Sequence, residues 1–85
     1  MRFAVAVDVM PKEGISDPQG QTIERALPGL GFRGMHHVRM GKRVELVVEA
    51  DDEAAAEAML DDACRRFLAN PVIEEFHITL EEIGG

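Results

Sequence analysis

The chain contains no tryptophan and no tyrosine, so four phenylalanines and five methionines must supply the bulk of its core beside valine, leucine and isoleucine. Its single cysteine, Cys64, excludes an internal disulfide, and nothing suggests a metal site built on paired cysteines. Basic residues are scarce: nine stand against sixteen acidic ones, for a formal charge of −7. A field of that sign repels polyphosphate backbones, and nucleic-acid binding requires lysine and arginine to displace counterions. The only short basic clusters are Gly41-Lys42-Arg43 and Arg65-Arg66. No apolar run approaches the roughly 18 residues of a membrane span. The N-terminal MRFAVAVDVM holds one positively charged side chain and Asp8, unlike a secretory signal. The expectation is a soluble cytoplasmic domain with no nucleic-acid partner and no membrane partner.

What is present is a sufficient apolar supply, 46% of 85 residues. That length predicts one small domain, residues 1–85. A chain this short buries roughly 60–65% of its unfolded surface. Its stability should therefore be modest, on the order of 4–13 kcal/mol.

Phe3, Val5, Val7 and Val9 alternate with Ala4, Ala6, Asp8 and Met10, a period of two that predicts a strand. Ile23, Ala26, Leu27 and Leu30 then fall on one face of a helix, with Asp17 as N-cap and Pro18 at the first helical position. Pro28, Gly29 and Gly31 should kink or end it. A second strand is predicted over residues 35–40. Gly41-Lys42 would turn it into a third, where Val44, Leu46 and Val48 alternate with Glu45, Val47 and Glu49. The second helix begins among Asp51, Asp52 and Glu53 and ends near Arg65 and Arg66, both favourable to its dipole. Ala56, Met59, Leu60, Ala63, Cys64, Phe67 and Leu68 define its apolar face, and Asn70-Pro71 stops it. A last strand sets Val72, Phe76, Ile78 and Leu80 against Glu75, His77 and Thr79. The order β-α-β-β-α-β predicts a ferredoxin-like α+β fold, a four-stranded antiparallel sheet with two helices on one face. The other face would show Ala4, Ala6, Val47 and Ile73, and such a face, or an unpaired edge, invites a homodimer or higher oligomer.

The search for chemistry returns little. A Walker A reading of Gly41-Lys42 fails because position 36 is His and Arg43 stands where Ser or Thr should hold magnesium. His36 and His37 are adjacent on a predicted strand and point to opposite faces, which prevents chelation from one side. Cys64 sits near a helix C-terminus on the apolar face, where nothing lowers a thiol pKa, and reads as a packing residue. The adjacent carboxylates Asp51-Asp52, Asp61-Asp62, Glu74-Glu75 and Glu81-Glu82 read as solvated faces. No nucleophile, general base or metal-ligand set emerges. The surplus is the stretch PKEGISDPQG, whose turn and cap chemistry explains Asp17 and Pro18 but not Lys12 or Gln19.

The segments PKEGISDPQGQTIERAL, VRMGKRVEL and LANPVIEEF occur in the order and at the spacing of the PurS family, which the chain resembles over essentially its whole length. The family is the small subunit of bacterial and archaeal phosphoribosylformylglycinamidine synthase. The resemblance implies de novo purine synthesis, in which formylglycinamide ribonucleotide, glutamine and ATP give formylglycinamidine ribonucleotide. It also implies a chain with no active site, cofactor or metal of its own, while ATP and magnesium serve the assembled complex. Its partners would be a second copy, in a dimer or tetramer, together with a glutaminase subunit and a large synthetase subunit, and it would bridge these two and help enclose the ammonia path. The family motifs fall on Pro11, Lys12, Gly14, Asp17, Pro18, Gln19, Gly20, Gly41, Lys42, Asn70, Pro71, Val72, Ile73 and Glu74. Of these, Lys12, Asp17, Gln19, Gly20, Gly41, Lys42, Asn70 and Pro71 are the expected partner-binding residues. Pro28-Gly29 and His36-His37 depart from the family pattern. Two other classes compete: a dimeric ferredoxin-like module that binds a regulatory small molecule, and an acylphosphatase-like enzyme. The second needs a loop arginine where this chain has Lys12.

Overall fold

The computed structural model describes residues 1–84. In chain order it has β1 (Arg2–Pro11), α1 (Pro18–Ala26), β2 (Lys42–Glu49), α2 (Glu53–Ala63) and β3 (Glu74–Gly84). The strands form one antiparallel sheet with β1 in the centre and β2 and β3 on its flanks. The β-branched run of β1 suits that central place, because its odd-numbered side chains meet partners on both sides. Phe3, Val5, Val7 and Val9 are buried against Val48 and the half-buried Val44, Leu46, Phe76, Ile78 and Leu80. From above, α2 lays Ala56 and Leu60 on this face, and Cys64 joins them from the turn that continues the helix. Asp52 caps α2, its carboxylate accepting from the Ala55 N–H at 2.7 Å.

The sheet therefore has three strands, not the four of a ferredoxin-like fold. Residues 35–40 do not pair. Gly34 and His37 take positive φ values of 82° and 58°, which break an extended run. The backbone donors in this stretch go to carboxylates instead of a neighbouring strand. Val38 N–H donates to Glu24 Oε1 at 2.9 Å, and Met40 N–H to Asp17 Oδ2 at 2.7 Å. Gly41-Lys42 is correspondingly not a hairpin turn, since Lys42 already belongs to β2 and lies opposite Val9.

The second correction concerns the helices. Among the described residues only α2 covers the sheet, whereas α1 adds no side chain to the core and buries only Gly20. Its sequence explains this: within PQGQTIERA only Ile23 and Ala26 are sizeable or apolar enough to pack, and one such pair is too little to seat a helix. Pro28 does end α1; a short tight turn over Pro28–Leu30 follows, closed by Gly31 at φ 93°. The molecule is consequently a slab of 51 × 27 × 15 Å with a radius of gyration of 16.6 Å. A compact chain of this length would have a radius of about 12 Å.

The predicted apolar face of α2 divides into two columns. Ala56, Leu60 and Cys64, four residues apart, are buried, while Met59 and Phe67 are 52% and 86% exposed. Past Cys64 the helix widens, and Ala69 N–H donates to the Cys64 carbonyl, five residues back, at 2.9 Å. The extra residue in that turn breaks the phase of the stripe and leaves Phe67 outside. Cys64 has no exposed surface, and burial, with Asp61 adding to it, pushes its thiol pKa up. It packs in the core, as its place on the apolar face predicts.

Candidate partner interface

The loop after β1 is built by local bonds. Lys12 N–H donates to the Ile73 carbonyl at 2.9 Å, which ties the loop to the turn before β3. Ile15 N–H then donates to the Lys12 carbonyl at 3.1 Å, with Gly14 at φ 81° inside that turn. Asp17 follows as the N-cap of α1. Its Oδ1 accepts from Gly20 N–H at 3.0 Å and its Oδ2 from Met40 N–H at 2.7 Å. These amide donors, the Gly20 one foremost, hold the Asp17 carboxyl below its ordinary value near 3.8. One side chain thus starts a helix and also fixes the segment that leads into β2.

Gly20 and Gly41 make that closure possible. A Cβ on Gly20 would lie 2.5 Å from the Val38 carbonyl oxygen and 2.5 Å from Asp17 Oδ2. A Cβ on Gly41 would overlap the Val9 carbonyl and the Met10 sulfur. Both positions need glycine for close backbone approach and not for an unusual φ. Arg39 adds a further tie, its guanidinium donating to the Pro11 carbonyl and lying 3.8 Å from the Glu13 carboxylate.

The turn before β3 is clamped in a similar way. Asn70 Oδ1 accepts from Val72 N–H at 3.1 Å, and the Asn70 carbonyl accepts from Ile73 N–H at 3.1 Å and Glu74 N–H at 2.7 Å. Glu74 Oε1 in return accepts from Asn70 N–H at 2.7 Å. The three sequence motifs therefore meet at one end of the slab.

The eight expected partner residues divide by what they touch. Asp17, Gly20, Gly41 and Asn70 hold the loops in shape, and both Asp17 oxygens are spent on this chain's own backbone. Lys12, Gln19, Lys42 and Pro71 are exposed, and neither lysine has an ion pair among the described residues. Between the loops lies a cleft of about 270 Å³ whose lining includes Lys12, Gly14, Asp17, Gln21, His37 and Arg39. His36 lines a different cleft beside Arg25 and Arg33, so the two histidines diverge. Among the described residues no group of three or more His, Cys, Asp or Glu is placed to hold a metal. Glu24 and Arg39 are the contributors that sequence reasoning missed. Their spacing carried no signal, because each reaches a backbone group fourteen or more residues away.

A family model described as PurS, phosphoribosylformylglycinamidine (FGAM) synthase, matches residues 4–82. The chain belongs to the PurS family. The FGAM synthase subunit PurS of Methanocaldococcus jannaschii is 33% identical over 81 residues, spanning 95% of this chain and 98% of that one. PurS of Mycobacterium leprae is 44% identical over 75 residues, 88% and 91% of the two chains. Among solved structures, a chain of PurLQS from Thermotoga maritima overlays with a TM-score of 0.87 at 34% identity, covering 95% and 99%. Bacillus subtilis PurS overlays with a TM-score of 0.85 at 35% identity, covering 94% and 99%. A PurS-like fold thus stands where the four-stranded arrangement does not. As a PurS subunit of FGAM synthase, the chain serves purine biosynthesis.

Proposed function

We propose that this PurS chain is a cytoplasmic, non-catalytic adaptor that bridges the glutaminase and large synthetase subunits of FGAM synthase and helps enclose the ammonia path between them. The observation that carries this reading is the convergence of the three motifs on one rigid end. There the scaffold residues satisfy one another, and Lys12, Gln19, Lys42 and Pro71 are left facing outward. Conformational entropy lost on docking is small when loops are already clamped. The likeness to a chain of PurLQS supports the same reading. Ammonia released into water is protonated and lost as a nucleophile, so the catalytic subunits need a sealed passage that a small rigid subunit can complete. On this reading the chain binds no cofactor itself, and ATP and magnesium act in the assembled complex. The chain also self-associates, as a dimer or tetramer: among the described residues the outer edges of β2 and β3 have no strand beside them.

Co-purification with the glutaminase and synthetase subunits, with and without ADP, magnesium and glutamine, tests the docking end. A Lys12→Glu/Lys42→Glu variant loses no ion pair of its own, so its fold should persist by circular dichroism. Its retention on the partners should weaken by about tenfold, roughly 1.4 kcal/mol. Retention equal to the unmodified chain would show that this end is not the handle.

A further inference from the structure

The cleft at the loop end is lined differently from the rest of this acidic chain. Its walls include the cations Lys12 and Arg39, the imidazole of His37 and the amide of Gln21, set beside the apolar Ile15 and Val38. Glu13 and Asp17 line it too, and both carboxylates are already engaged. Asp17 accepts from the Gly20 and Met40 amides, and Glu13 lies 3.8 Å from Arg39. The Lys12, Gln21 and His37 side chains, by contrast, make no hydrogen bond and no ion pair among the described residues. Potential donors are thus grouped along one cleft with no acceptor in their own chain. His37 adds a second observation. Its φ of 58° is the only positive value among the described residues other than glycine. That conformation costs free energy in a residue with a side chain, and the imidazole makes no bond in this chain that would offset it.

At about 270 Å³ the cleft falls below the roughly 300–1,000 Å³ of sites that enclose a drug-sized ligand. It suits a single side chain. Unpartnered donors call for an anionic acceptor, and Ile15 and Val38 suit a short apolar stem. We infer that the cleft receives a Glu or Asp side chain of a partner subunit, its carboxylate held by Lys12, Gln21, His37 and Arg39. This rests on the adaptor reading above and adds the chemistry that the partner presents. The Arg39 guanidinium is anchored by its bond to the Pro11 carbonyl, so the arriving acid has only Glu13 to displace, whose side chain is 93% exposed. Glu13 acts as a weak internal competitor for the same cation.

Two variants separate this contact from a structural role. Glu13→Gln leaves Arg39 free for the incoming carboxylate, so retention on the partner subunits should tighten about threefold in 50 mM salt and much less in 1 M salt. His37→Gly removes the imidazole together with the cost of its backbone conformation. Its urea midpoint should therefore equal or exceed that of the unmodified chain, while retention falls about tenfold. A carbodiimide should join Lys12 to one Asp or Glu of the glutaminase or synthetase subunit, and Lys12→Glu should rescue the replacement of that acid by Lys. If the unmodified chain is retained and both variants match it, the cleft is not the contact and the adaptor reading stands. Should His37→Gly unfold, Glu13→Gln alone decides. An unmodified chain that neither subunit retains overturns both. A rise in melting temperature of the isolated chain with free glutamate, with retention of both variants unchanged, would reassign the cleft to a free amino acid.

Discussion

Gly41→Val is expected to remove about 3 kcal/mol or more of stability, the upper end of what overpacking costs. The added Cβ has nowhere to go, because the Val9 carbonyl and the Met10 sulfur already occupy its place. Side chains can swing aside, but the Val9 carbonyl is part of the central strand, whose inner-face side chains are buried throughout. The Val9–Lys42 end of the ladder should open, which would show as lost amide protection over residues 40–44. Gly29→Ala is the matching control: its Cβ meets nothing within 4 Å. That change should leave the urea midpoint within a few tenths of a molar unit. Equal effects at the two positions would remove close backbone approach as the reason for glycine at 41.

Leu60→Ala should cost about 2–5 kcal/mol. Leu60 is 2% exposed and sits on the buried face of α2, the one helix among the described residues that covers the sheet. With one helix serving three strands, no second element can collapse into the cavity, and total stability is on the order of 4–13 kcal/mol. The variant should therefore unfold at markedly lower urea and bring part of the population near its threshold at 37 °C. Met59→Ala, one residue away and half exposed, should shift stability by no more than about 0.5 kcal/mol. Comparable losses at 59 and 60 would contradict the division of α2 into a buried and an exposed column.

That division also marks how far the sequence could be read. Periodicity was sufficient for β1, because Phe3, Val5, Val7 and Val9 obey a simple alternation and all end up buried. The Asp17-Pro18 start of α1 was legible because cap chemistry is local. Residues 35–40 misled, since Met35, Val38 and Met40 supply apolar character while their structure is set by distant carboxylates on Glu24 and Asp17. The placement of α1 misled for a related reason: a helical pattern gives the face of a helix but not what that face meets. For the partner-facing end, the motifs named the right neighbourhood, whereas the division between holding residues (Asp17, Gly20, Gly41, Asn70) and presented ones (Lys12, Gln19, Lys42, Pro71) required the hydrogen bonds.

The most direct test of the adaptor reading compares two nitrogen sources in FGAM synthase reconstituted from its glutaminase and synthetase subunits. Turnover is measured with and without this chain, first with glutamine and then with a high concentration of ammonium salt. Omitting the chain should collapse the glutamine-dependent rate and spare most of the ammonia-dependent rate, because external ammonia bypasses the passage between subunits. An unchanged glutamine-dependent rate without the chain would contradict the account.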